Sequence, residues 1–465
     1  MKKTIIWFLI IIMLLSMAGC RPEGQEDLPS NPAADDQPQN IDPDIQPDIQ
    51  QQQTPSGTLS ENTKELSAEY PTKEIGYVME DNFPAALSDF GLRLLAKTGK
   101  KGENALISPV SAVFALGMTA GGAKGETYQE IAQTLLGKNS SLDLHHNLAA
   151  YRQKTDGAQE FHSANSIWFK NKDLEIKKEF LQQNADYYAS QIFSCPFDQS
   201  TVDDVNAWVN EHTNGMIPAL LVSLPSDPNT YAMMPANLAP PPDKNTVMYL
   251  VNALSFEDKW DTPFSEQLTE QKPFTAATGE KQTVDMMQGG SKYYLENENC
   301  TGFHKMYLGG YSFVALLPKE NTTPEALIAS LNGKGWHQLM IPKENSIVTF
   351  SLPKFKTEFS ASLKEPLQEM GMKQAFEIGQ ADFSAMGTCQ GAPLWIAEVL
   401  QKTVFELDEK GTKAAAATVV EEACGDSVRE DPPKRYTVTL DRPFVYAIVD
   451  NNNVPVFLGI MNQAK

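Results

Sequence analysis

The chain has 465 residues, 41% of them hydrophobic, enough apolar material for a large folded core, and a formal net charge of −21. That charge argues against nucleic acid or an anionic membrane surface as an electrostatic partner, because both would be repelled. Five cysteines, Cys20, Cys195, Cys300, Cys389 and Cys424, show no paired spacing, which argues against a disulfide framework and a zinc site.

The first element is an address. Lys2 and Lys3 precede an apolar run from Ile5 to Leu15, and Ser16-Met17-Ala18-Gly19-Cys20 follows with the small-residue pattern of a cleavage site ending in cysteine. Residues 1–19 are therefore expected to be a bacterial lipoprotein signal peptide, with Cys20 lipidated as the first residue of the mature chain and the protein held on the extracellular face of the cell membrane. An uncleaved anchor is the alternative, and the run is short for a spanning helix. Residues 20–78 are dense in Pro, Asp, Glu, Gln and Asn. They read as an acidic, disordered tether, because so few large apolar groups cannot offset the entropy cost of ordering.

Phe83, Leu87, Phe90 and Leu94 recur at helical spacing after Asp81 and Asn82, and open the folded domain with an amphipathic helix. Ser111 to Thr119 reads as a second, buried helix. Val247–Leu254, Phe313–Leu317, Ile347–Leu352, Leu394–Leu407 and Phe444–Val449 read as strands. Helices first and strands later point to an α+β architecture in one domain over residues 79–465. Ser223 to Thr246 is proline-rich and reads as a solvated insertion.

The chemistry of an enzyme is missing. There is no G-x-S-x-G elbow, H-E-x-x-H helix, P-loop or dinucleotide fingerprint. The histidines His145, His146, His162, His212, His304 and His337 have no ligand spacing, so no metal, cofactor or catalytic residue is expected. Near the C-terminus an apolar strand ending Val404-Phe405-Glu406-Leu407 leads through Glu409 and Gly411 into Thr412, Ala414, Ala415, Ala416, Ala417 and Thr418. Alanine is the best helix former, so an alanine-rich helix is one reading. In the other, the row slides between two strands with Thr412, Ala414, Ala416, Thr418 and Val420 turned to the core.

A set of motifs in order decides between them. Asn104, Ser108-Pro109-Val110-Ser111, Gly122-Ala123-Lys124-Gly125-Glu126-Thr127, Ala164-Asn165-Ser166-Ile167-Trp168 and Asn206-Ala207-Trp208-Val209 come first. Leu250-Val251-Asn252-Ala253-Leu254, Trp260, Pro353-Lys354-Phe355, Ala381-Asp382-Phe383-Ser384 and Asp441-Arg442-Pro443-Phe444 follow. From about residue 79 to the end the chain resembles the serpin family. The resemblance implies a fold with a large mixed main sheet, further sheets, a helical set and an exposed reactive loop. It implies a monomer that inhibits serine proteases through a covalent acyl complex and loop insertion. A non-inhibitory serpin acting as a surface binding protein, and an inhibitor of cysteine proteases, are the alternatives.

By the same resemblance Glu409, Gly411, Thr412 and Ala414 to Ala417 form the loop's hinge, with Thr412 exposed until insertion. Counting along the loop as the family does places the attacked residue at Gly425, with cleavage before Asp426. Ala423, Cys424 and Arg429 are alternatives in other registers. A small attacked residue suits elastase- or subtilisin-type targets and Arg429 a trypsin-like one. Cys424 also falls in the exposed loop as a reactive thiol. Glu422 would face inward if the alternation persisted, at a desolvation cost. Ser111, Asn252 and Gln401 match a hydrogen-bonded Ser-Asn-His cluster beneath the family's main sheet. Glutamine in place of histidine cannot titrate, which removes this site as a route to pH-dependent opening.

Overall fold

The computed structural model describes the backbone of residues 9–18 and residues 59–73, 75–156, 160–213, 215, 219–221, 246–412 and 432–464. Helices α1 (Phe83–Thr98), α2 (Pro109–Ala120), α3 (Gly125–Leu136), α4 (Leu144–Thr155), α5 (Lys178–Tyr188) and α6 (Gln199–His212) come early. Short helices α7 (Pro324–Ser330), α8 (Gly333–Leu339) and α9 (Lys364–Met370) come later. The expected α+β class holds. The helix predicted at Phe83 buries Phe83, Leu87, Phe90 and Leu94 along one stripe. Around Ser111, α2 buries every residue, the mark of a central helix; Ser108 caps it by accepting from Ser111 N at 3.1 Å, and Pro109 pre-sets its first turn.

The main sheet has the order β15 (Phe355–Ser362), β17 (Ile396–Leu407), β1 (Leu9–Ala18), β7 (Thr246–Phe256), β4 (Phe161–Lys170), β6 (Gln191–Cys195) and β2 (Lys64–Glu65). A second sheet runs β19 (Lys434–Thr439), β14 (Ser346–Pro353), β10 (Lys281–Ser291), β9 (Glu270–Thr275). A third runs β11 (Tyr294–Glu296), β12 (Cys300–Met306), β13 (Ser312–Pro318), β20 (Phe444–Val449), β21 (Pro455–Met461), β3 (Ala105–Ile107). Two small pairs complete the set, β16 (Gly387–Cys389) with β5 (Leu174–Ile176), and β18 (Gly411–Thr412) with β8 (Asp258–Lys259).

Every residue of β7 is buried, because both faces are covered. Met248, Leu250, Leu254 and Phe256 join the larger core, which includes α2, while Tyr249, Val251 and Ala253 join a smaller one with Val202, Val205 and Trp208 of α6. This two-sided burial explains why the run from Val247 reads as nearly continuous apolar sequence.

Two placements differ from the sequence reading. The backbone of Leu9–Ala18, inside the predicted leader, forms β1 between β17 and β7, antiparallel to both. Part of the predicted tether is also ordered against the domain. Ser60 donates from N and Oγ to the Asp204 carboxylate at 2.8 and 2.6 Å. Lys64 and Glu65 pair with the edge strand β6, and Leu66 and Tyr70 pack on the core. The polar composition misleads here because most of these contacts are made by the backbone and by small hydroxyls, which composition does not register.

Candidate functional site

β17 delivers the chain to the predicted hinge, and Asp408 ends the strand. Its Oδ1 accepts from Lys410 N at 2.8 Å and Gly411 N at 3.2 Å, and its own N donates to Gly411 O at 3.1 Å. An aspartate closing a turn onto its own following backbone is a known local device. Glycine is required at 411: its φ is +151°, and a Cβ would strike the carbonyl oxygen of Asp258. After the turn Gly411 pairs opposite Lys259 and Thr412 opposite Asp258, antiparallel. The pair thus lies at the end of β7, next to the position that β1 occupies between β17 and β7.

Thr412 is only 2% exposed, and its Oγ1 lies 2.6 Å from the Tyr307 hydroxyl. The expectation of an exposed Thr412 is therefore wrong for this structure. Tyr307 supplies the polar partner for the buried threonine hydroxyl. The indole of Trp260 stacks on the Tyr307 ring at 4.2 Å, donates Nε1 to Asp408 O at 2.9 Å, and its backbone N donates to Lys410 O at 3.1 Å. Glu409 accepts from Lys354 Nζ at 2.9 Å and from Thr269 Oγ1 at 3.0 Å. Burial alone would raise its carboxyl, but these bonds outweigh it and hold the group below its usual value. Lys305 lies over the rings of Trp260 and Phe264 and donates to Thr262 O at 2.6 Å. Burial lowers its ammonium to about 8.

The three cluster residues, Ser111, Asn252 and Gln401, are all buried but are not hydrogen-bonded to one another. Gln401 clasps the backbone of Ser108, accepting from its N at 3.2 Å and donating to its O at 3.0 Å. Asn252 donates to Ser163 Oγ at 3.1 Å and Asn165 Oδ1 at 2.9 Å. The reason is spacing: Gln401 and Asn252 are both register partners of Met13 in β1, so two strand intervals, about 9.5 Å, separate their backbones. Ser111 Oγ and Asn252 Oδ1 have no partner among the described residues.

A family model described as "Serpin (serine protease inhibitor)" matches residues 85–238 and 229–464. The chain belongs to the serpin family. Iripin-3 of Ixodes ricinus is 31% identical over 398 residues, 83% of this serpin and 95% of that protein. A serpin-like protein of Methanosarcina mazei is 28% identical, over 87% of this chain and 90% of its own. Among solved structures, the thermophilic serpin tengpin in the native state superposes with a TM-score of 0.75 at 37% identity, covering 86% of this chain and all of the other. The same serpin in the latent state gives 0.70 at 36%, covering 84% and all of the other. Serpins are generally protease inhibitors that act by suicide cleavage.

Within this serpin, Glu409, Gly411 and Thr412 of the expected hinge lie in one turn, the last two paired with β8. Ala414, Ala415, Ala416, Ala417, Ala423, Cys424, Gly425, Asp426 and Arg429 lie outside the described residues, as does Cys20. Cys195, Cys300 and Cys389 are buried and unbridged, and burial pushes the first two thiols up to about 12, so they stay inert. Sequence reasoning listed Trp260 and Lys354 only as family matches and did not see that they hold the hinge. Tyr307 and Asp258 it missed altogether. No local pattern announces them, because each meets the hinge across a long sequence separation.

Proposed function

We propose that this serpin inhibits serine proteases by insertion of its cleaved loop into the main sheet. One observation carries the reading: Gly411 and Thr412 already pair antiparallel with β8 at the mouth of the space between β17 and β7. Carried forward, the same register sets Ala414 opposite Phe256, Ala416 opposite Leu254, Thr418 opposite Asn252 and Val420 opposite Leu250. Those β7 residues face α2, so the small side chains would enter the larger core. Glu422 would come opposite Met248 and oppose the last step of insertion.

The strand β1 supports the slot's capacity. Leu9 pairs with Phe256, the place that Ala414 would take, so β1 and the loop cannot both be seated. Removal of the leader before Cys20 would vacate the position. The mature chain would then be held by lipid on Cys20 at the outer face of a bacterial membrane.

In the reaction the target's serine Oγ attacks the loop carbonyl at the scissile bond, at Gly425 in the family's count. An ester forms, the peptide bond breaks, and the new amino terminus leaves on the Asp426 side. If about ten strand residues each gain a net hydrogen bond of roughly 1 kcal/mol, insertion releases on the order of 10 kcal/mol. That is comparable with a protease's own stability and can distort the oxyanion donors on which deacylation depends.

Incubation of the chain beginning at Cys20 with elastase-, subtilisin- and trypsin-type serine proteases and a cysteine protease, followed by denaturing electrophoresis, tests this. A covalent band with a serine protease is expected, and the full precursor should form less of it. Clean cleavage by every protease would instead support a non-inhibitory binding role. Release of the protein into the medium on Cys20→Ser tests the anchor; unchanged membrane retention would overturn it.

A further inference from the structure

The β8 pair does more than meet the hinge. Asp258 is 5% exposed, and its backbone pairs with Thr412. Its side chain reaches the opposite way: Oδ2 accepts from Gly309 N at 2.9 Å and Oδ1 from Lys259 N at 2.7 Å. Gly309 lies in the turn of the β12–β13 hairpin, whose Leu308 N donates to Lys259 O at 2.9 Å. The two residues of β8 thus splice the loop's hinge to the third sheet. We propose that Asp258 is a positioning residue for loop entry, holding the hinge through its backbone and the hairpin through its carboxylate, and that gain or loss of its proton sets how firmly the hinge is held.

The surroundings give the proton its weight. Glu160, in the segment entering β4, crowds the same glycine: a methyl at Gly309 would strike both the Glu160 and the Asp258 carboxyls. Tyr307 and Tyr311 face Asp258 from the two ends of the hairpin, and Asp408 stands near Tyr307 from the hinge turn. Glu257 and Lys259 flank it on its own element, and no described lysine, arginine or histidine forms an ion pair with it. Burial, with Glu160 adding, pushes the carboxyl up to about 6 against the pull of its two backbone donors. The folded value lies above the unfolded one, so the stabilising contribution is complete below about 4 and is lost as pH rises through about 6. Opening of the hinge would let water reach the carboxyl and relieve the burial that opposes its charge, so ionisation favours opening and the hinge is held most firmly in mild acid.

The inference rests on the insertion reading, and its test is kept separable from it. Amide hydrogen exchange of the peptide spanning residues 404–412, corrected for intrinsic rates, is followed in the intact protein from pH 4.5 to 8. Opening in the parent should increase about threefold or more across pH 6. Asp258→Asn should remove the step and stay at the slow level. Glu160→Gln should move the step to lower pH, a shift that a purely structural role would not produce. Covalent-complex formation with a protease from the panel should accelerate over the same range. A step that persists in Asp258→Asn, or that stays in place in Glu160→Gln, overturns the proposal. Absence of complex with any protease, with the step intact, would instead sink the insertion reading alone.

Discussion

The two ends of the slot are built on opposite plans. At the hinge, side chains tie the segment after β17 to the elements around it: Glu409 to Lys354 and Thr269, Trp260 to the Asp408 backbone, Tyr307 to Thr412. Midway down, Gln401 and Asn252 face the same position and each turns to its own side, one to α2 and the other to β4. Side chains fasten the slot at its mouth and not in its middle, where β1 lies between the two strands. On the proposed insertion reading, side-chain resistance to opening sits at the mouth, and the side chains of Gln401 and Asn252 hold each half together without joining the halves.

The harshest way to break this contrast is Thr412→Arg. Thr412 is already buried in the intact protein, so a guanidinium there lacks a partner before as well as after cleavage. We expect a loss of about 3–5 kcal/mol and a clearly lowered thermal midpoint of the uncleaved form, together with conversion from inhibitor to substrate; an unchanged midpoint would place Thr412 outside the sheet. Next is Glu409→Ala, which strands Lys354 and Thr269 and should cost about 1.5–3 kcal/mol at pH 7. Because the carboxyl is held below its usual value, that stability is present above the unfolded value near 4.3 and disappears as pH falls through the lower folded one. The gap between parent and variant should narrow in acid-unfolding curves, and a constant gap would refute the ion-pair origin.

Double-mutant cycles sharpen the comparison directly. Tyr307→Phe with Thr412→Val should show coupling of about 0.5–1.5 kcal/mol in chemical denaturation, while Gln401→Leu with Asn252→Leu should be additive to within about 0.5 kcal/mol. Coupling in the second pair would show the middle of the slot to be fastened after all. A last test concerns Lys305. Its ammonium is lowered to about 8 in the fold, so the parent should gain stability as pH rises from about 8 towards 10.4, while Lys305→Met should stay flat over that range.

Much of this was legible in the sequence, for reasons that differ by element. α2 and β7 read correctly because burial on every side leaves an uninterrupted apolar record. The residues of the expected hinge read out as a pattern, since a glycine followed by small residues after an apolar strand is local. Their state did not, because the burial of Thr412 depends on Tyr307, more than a hundred residues away. The Ser111, Asn252 and Gln401 positions were legible and their pairing was not, since hydrogen-bond direction depends on how far apart β17 and β7 stand. Ser60 and Lys64 were hidden for another reason. A serine bonding a distant carboxylate and a lysine lending its backbone to an edge strand leave no mark in composition.

That short strand has a consequence of its own. Without Lys64 and Glu65, β6 would end the main sheet with a row of unanswered donors and acceptors, a template for another chain's strand. Held by lipid on Cys20 as proposed, the chain would meet its neighbours at high local density and in a shared orientation, the conditions under which sheets join edge to edge. By folding Lys64 and Glu65 over that border, the chain closes one route to self-association where such crowding would favour it most.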